Sequence, residues 1–302
     1  MRGVVALLLL VFSVPVAGGA SVRSVTAPAP VLALAFDGPR VAYASGRSAG
    51  DCNRVRIWNL TTRGVTKLGR RTHCERTSTG NAIASLSIAG TRVLWLHYMG
   101  GNTREWSLWT ASESRPAPIR LRFAARDADA PAPIVLGPGD DSRLVSLLPY
   151  AVDRTVFAVR GDGSRAFAWT APGRVVALAA KDGEVAVASG GGVVTVLDAR
   201  GRVLSTERFG AEIDVVRLTG DAVAVQHGRT LELRGGRVAL YSLVPGVRLA
   251  DADGDRAVLV GGDKVRSFDL DSGFGGVAAK GSHADLEGGR LASAAGRVVS
   301  TR

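Results

Sequence analysis

Apolar and polar positions alternate along most of this chain in short runs, broken every few residues by Gly or Asp. Val41-Ala42-Tyr43-Ala44 and Val185-Ala186-Val187-Ala188 show the period of two that a half-buried strand requires. A strand, a tight turn, a second strand and a third strand ending on a bulky residue form a unit that recurs seven times. The first copy is LALAFDGPRVAYAS (32–45) with RVRIWNLTT (54–62), and the last is ADLEGGRLASA (284–294) with GRVVSTR (296–302). The turn after each first strand is predicted at Gly38, Gly90, Asp153, Gly183, Gly220, Gly254 and Gly288. The third strands are predicted at Ile57-Trp58, Leu108-Trp109, Ala168-Trp169, Val196-Leu197, Glu232-Leu233, Ser267-Phe268 and Ser300-Thr301, the third unit being the least regular. Asp182-Gly183 is a dipeptide suited to a two-residue hairpin.

Small sheets repeated at a steady interval predict an all-β fold, a seven-bladed β-propeller of four-stranded antiparallel blades. The last unit runs out of chain after its third strand, and an open sheet edge is a liability. The alternating segment Ser21–Thr26 has no first-strand partner of its own, so it is expected to close the last blade, with Ala27–Pro30 as a stiff linker to the first. Residues 1–20 read as a signal peptide: Met1-Arg2, an uncharged apolar stretch from Gly3 to Phe12, and small residues ending at Ala20. That stretch is shorter than the roughly 20 residues of a membrane span. Residues 21–302 are then expected to be one exported, extracytoplasmic domain of a bacterial cell envelope, and a monomer.

Phe36-Asp37-Gly38-Pro39 and Arg56-Ile57-Trp58-Asn59-Leu60 resemble WD40-like and TolB-like propeller repeats. Val196-Leu197-Asp198-Ala199-Arg200-Gly201-Arg202-Val203 is more similar to repeats of pyrroloquinoline-quinone-type propellers. The regular Gly-His and Trp-Asp pairs of true WD40 repeats are missing, since Asn59 follows Trp58 and Thr110 follows Trp109. The resemblance implies a fold and attaches no activity to it.

The net charge of +11 invites a nucleic-acid reading, but an exported protein is not expected to meet nucleic acid. The basic residues are 34 Arg and 4 Lys, a bias that with abundant Ala, Gly and Val reflects a GC-rich coding sequence. Their placement carries more information. Residues 51–126 hold 12 Arg and 1 Lys against four acids, whereas residues 127–302 hold 21 basic and 22 acidic groups. Such asymmetry favours anionic partners.

In a four-stranded meander the first-to-second and third-to-fourth turns share one face. The second-to-third loops and the blade-to-blade connections share the other. Turns on the first face are short, and the second face carries the elaborations Gly46–Asn53, Gly69–Asn81, Tyr98–Thr103 and Ala124–Ser142. These are either functional loops or drift of a tolerant surface. Cys52 and Cys74 both fall on this face, and an isolated pair in an exported protein is expected to form a disulfide. It would close about 20 residues, be worth roughly 3 kcal/mol, and pin the basic segment Arg70-Arg71-Thr72-His73. The alternative, a metal site using Cys52, His73 and Cys74, lacks a fourth ligand.

Other motifs carry little chemistry. Gly46-Arg47-Ser48-Ala49-Gly50 spells GxSxG, but no helix follows to strain Ser48 as a nucleophile elbow. Asp251-Ala252-Asp253-Gly254-Asp255 resembles a calcium loop, yet Gly254 sits at a repeat turn. Arg160-Gly161-Asp162 is an adhesion tripeptide in spelling. The five Trp residues (Trp58, Trp95, Trp106, Trp109, Trp169) read as blade packing.

The leading expectation is a non-catalytic propeller that binds a protein or an anionic envelope component through the loop-rich basic face of blades 1–3. Its contact residues would be Arg70, Arg71, His73 and Arg76, with no cofactor, metal or catalytic residue. The rival is an enzyme using the central channel, such as a quinone-dependent dehydrogenase, lyase or hydrolase. That would need ionisable side chains converging from the first strands. Leu34, Ser85, Ala177, Val216 and Ala250 offer none, so no ring of acids or histidines is expected there.

Overall fold

The structure is a computed structural model and describes residues 22–46, 54–69, 80–142 and 145–302. Among these residues every regular element is a β-strand, and the strands form seven antiparallel sheets. The seven sheets match the seven blades expected from the repeats. Blade 1 comprises Val31–Asp37, Arg40–Ser45, Arg54–Asn59 and Val65–Leu68, each strand pairing with the next. Blades 2, 4, 5 and 6 repeat this meander. The hairpin at Asp182-Gly183 has φ of 50° and 80°, the left-handed geometry of a two-residue turn matched to strand twist.

The blades pack face to face, and their taper explains the alanine-rich pattern. Near the axis two facing sheets leave little room. Blade 1 offers Ala33, Ala35, Ala42 and Ala44 there, and blade 2 answers with Ile83, Ile88, Val93 and Trp95. Small against large lets the layers interdigitate at native density. The Trp residues belong to this packing: Trp95, Trp106 and Trp58 are buried between blades, Trp109 flanks the Trp95 cluster, and Trp169 flanks the cluster between blades 3 and 4.

The last blade closes as the sequence predicted. Arg23–Thr26 runs antiparallel to Val298–Thr301, with Arg23 opposite Thr301 and Thr26 opposite Val298. Val25 packs with Ala292, Ala294 and Val299 in a cluster that also holds Phe36, Tyr43 and Trp58 of blade 1.

Blade 3 departs from expectation. Asp153 is not the turn after a first strand; it joins the second strand, Ser146–Val152, to the third, Thr155–Arg160. Ala168-Trp169 accordingly lie in the outer strand, Arg165–Thr170. The inner strand is split into Ile134–Leu136 and Asp140–Asp141, both pairing with the second strand. The stretch Ala124–Ser142, expected as an elaborated loop, therefore contains the end of the blade 2 outer strand, Ile119–Asp127, and this inner strand. Tyr98–Thr103 likewise reduces to a short turn between the strands Arg92–Met99 and Thr103–Ser112.

Proline is the cause in blade 3. Pro138 interrupts the inner strand beside Gly137, whose amide donates to the carbonyl of Pro149 in the partner strand (3.1 Å), and neither proline can donate to a ladder. Pro138 turns its carbonyl to Ala180 of blade 4 instead (3.0 Å). The flanking glycines allow that approach: a Cβ on Gly137 would lie 2.6 Å from both the Cβ and the carbonyl oxygen of Leu178. Gly137→Ala is expected to lower stability by about 1–3 kcal/mol through overpacking, read as a lower urea midpoint. An unchanged midpoint would show that Leu178 is free to move.

Candidate functional site in the central channel

The inner strands surround a central cavity of about 300 Å³. Those of blades 1, 3, 4, 6 and 7 end, at the face of the short turns, on Asp37, Asp141, Lys181, Asp253 and Glu287. Blades 2 and 5 end on Ala89 and Leu218. The expectation that the channel lacks a ring of acids is overturned. Leu34, Ser85 and Ala250 do line it, but they share it with charged residues at the strand ends.

Most of these charges have a structural partner on another blade. Asp37 accepts the amide hydrogens of Gly90 in blade 2 and, at 3.2 Å, of Asp141 in blade 3. Asp140 accepts that of Asp182 in blade 4 at 2.8 Å. Lys181 of blade 4 pairs with Asp253 of blade 6 at 2.8 Å. Deeper in the channel, Asp251 of blade 6 accepts from Leu286 of blade 7 (3.0 Å), and Asp285 of blade 7 accepts from Phe36 of blade 1 (2.7 Å). Arg217 of blade 5 donates through Nε and Nη2 to the Ala250 carbonyl of blade 6 and lies 3.3 Å from Asp251. The calcium-like segment is thereby accounted for, because Asp251 and Asp253 serve separate inter-blade contacts.

Glu287 is the exception. Its carboxylate accepts no hydrogen bond from any described residue. It instead converges with Asp37 and Asp140, so that carboxylate oxygens of all three lie within 4.8 Å of one another. Among the described residues this is the group spaced to hold a metal ion. Burial pushes Asp37 and Asp140 up to about 6. Burial, and the acids Asp37, Asp140 and Asp253 against the opposing charge of Lys181, push Glu287 up to about 7. Burial disfavours the Lys181 charge, but Asp253, Glu287 and Asp140 outweigh it and hold the ammonium protonated. Asp285 is raised well above the ordinary carboxyl value, first by burial and then by the neighbouring Asp251.

No protein-family model matches this sequence, and no curated protein sequence matches it. Solved structures do. Sqt1 from Saccharomyces cerevisiae is 14% identical over 92% of this chain and 97% of that chain, with a TM-score of 0.53. A chain of the mitotic checkpoint complex is 15% identical over 92% and 93%, with a TM-score of 0.55. BamB from Moraxella catarrhalis is 12% identical over 90% and 84%, with a TM-score of 0.53. The first two are WD40 propellers and the third is a propeller repeat protein. This chain is a β-propeller. At such identities the likeness carries the fold alone.

Within the propeller, Arg70, Arg71, His73, Arg76, Cys52, Cys74, Ser48 and residues 1–20 lie outside the described residues. Other arginines of the basic third are committed to packing. Arg56 is buried against Ser45, and Arg122 lies over Phe157 at 4.6 Å and Tyr150 at 5.6 Å. Arg120 covers Phe123, and Arg126 pairs with Asp153. Asp162 of the adhesion-like tripeptide closes its own turn by accepting from Ser164. Mid-strand positions do not reveal the channel charges, which stand at the strand ends. The residue just before each repeat turn was the available signal: Asp37, Lys181, Asp253 and Glu287 all stand there.

Raised carboxyl pKa values make the folded propeller bind more protons than the unfolded chain between about pH 4 and 7. Stability from this cluster therefore falls as pH rises through that window. His283, lowered by burial, works the opposite way, so the cluster is isolated by comparison with a variant. Glu287→Gln is expected to flatten the upper part of the decline in urea midpoints measured from pH 5 to 8. Identical profiles for both proteins would show that Glu287 ionises as freely in the ring as in solution.

Proposed function

We propose that this protein is a non-catalytic, exported binding propeller whose loop-bearing face takes a protein or an anionic envelope component. The observation that carries this reading is the division of charge in the channel. The acids lie at the short-turn face and are largely consumed in holding blades together, while the opposite mouth begins with Arg248 and His283. In the sequence, Arg70, Arg71, His73 and Arg76 stand between Leu68, where the outer strand of blade 1 ends, and Asn81, where the inner strand of blade 2 begins. A cluster of arginines suits bidentate recognition of carboxylate or phosphate. Among the described residues no helix is long and apolar enough to cross a membrane. The mitotic checkpoint complex provides a precedent for a propeller within an assembly.

A second reading, a channel hydrolase or lyase, is favoured by Glu287, which converges on two acids and holds its proton to about 7, as a general acid would.

Reversing charge at Arg70→Glu and Arg71→Glu together is expected to reduce retention of envelope components by the immobilised mature protein severalfold. Glu287→Gln is expected to leave retention unchanged. Full retention by the charge-reversed protein would overturn the binding reading. A turnover activity abolished by Glu287→Gln would favour the channel enzyme.

A further inference from the structure

Arg248 opens the inner strand of blade 6 and His283 that of blade 7, and both line the channel cavity. The Arg248 side chain is exposed, and among the described residues no carboxylate forms an ion pair with it. No described group accepts a hydrogen bond from its guanidinium either. A guanidinium carries five N–H donors in a fixed fork, so a complete recognition element stands free at the mouth of a concave space.

The neighbouring charges do not answer it. Arg217 is spent as a strut: Nη1 donates to the Val216 carbonyl at 2.7 Å, and Nε and Nη2 donate to Ala250 at 2.9 and 2.6 Å. Its positive charge is balanced by Asp251 at 3.3 Å. Asp285 is engaged elsewhere: its carboxylate accepts from the Phe36 amide of blade 1 at 2.7 Å, and no ion pair joins it to Arg248. His283 is held below its ordinary range by burial and then by Arg248, so it is neutral at pH 7; Ser282 Oγ lies 3.0 Å from Nδ1. The Arg248 guanidinium is therefore the charge at this mouth that no described carboxylate pairs with.

The geometry points to an anion-binding pocket at the loop-bearing mouth of the channel, in which Arg248 grips a carboxylate or phosphate group. The pocket rests on the binding reading above only for the face it occupies, and it is separable from the Arg70–Arg76 segment. A cavity of about 300 Å³ accommodates a small anion or the acidic tip of a larger partner.

Isothermal titration calorimetry of the mature protein with inorganic phosphate and, separately, with succinate at low salt tests the pocket and tells the two anion types apart. The wild type is expected to bind at least one of them. Arg248→Gln should weaken that binding about tenfold or more, the scale of a lost charge-assisted pair. Its thermal midpoint should stay unchanged, because the side chain supports no other described group. Arg70→Glu with Arg71→Glu should keep the anion affinity even where it loses envelope retention, which separates this pocket from the wider binding face. No heat from either anion, equal affinity in Arg248→Gln, or equal loss in the Arg70/Arg71 variant would overturn the assignment.

Discussion

A ring of wedges holds together only if each blade is fixed to the next at its narrow end, where apolar area is smallest. In this protein that task falls to charged side chains at the inner strands. Asp37, Asp140, Asp251 and Asp285 each accept a backbone amide from another blade, and Arg217 donates to the carbonyl of its neighbour. Hydrogen bonds with an ionised partner are roughly twice as strong as neutral ones. They also satisfy turn amides that the sheet ladders leave over. The cost is that several like charges are crowded into one buried space, which the ring relieves by keeping some carboxyls protonated.

That arrangement explains why function is hard to separate from architecture in the channel. A carboxylate with a raised pKa in a cleft is ordinarily a functional candidate. Here Asp37 and Asp140 are shifted by the same burial that makes them structural links. Glu287 and Arg248 stand apart because they line the cavity without carrying a hydrogen bond across it. The distinction lies in what each side chain touches, and a pKa by itself does not supply it.

Much of the fold was legible in the sequence because the period of two and the glycine turns are local signals. The third strands of six units, the hairpin at Asp182-Gly183 and the closing role of the segment before Ala27 follow from them. Blade 3 was not legible: Pro138 and Pro149 erase the alternation, so the cleaner run ending at Val152 resembled a first strand. The channel acids escaped for a different reason. Alternation tells which face of a sheet a residue occupies, but not how far along the axis it stands. Net charge was also a partial guide, since Arg56 and Arg120 spend their charge on packing within blades and Arg122 on packing between blades 2 and 3.

The pairing of Arg23 with Thr301 has a consequence for how the molecule comes into being. Each blade but the last is assembled from neighbouring segments and can form as the chain emerges. The last sheet must instead join Arg23–Thr26 to Val298–Thr301, a closure across more of the sequence than any other described strand pairing and so the slowest of them to be reached by diffusion. Until Val298–Thr301 has been synthesised, its partner strand waits as an unpaired edge. Closure of the ring thus waits on Val298–Thr301, and a chain halted short of that strand would keep an exposed, adhesive edge on its unfinished blade.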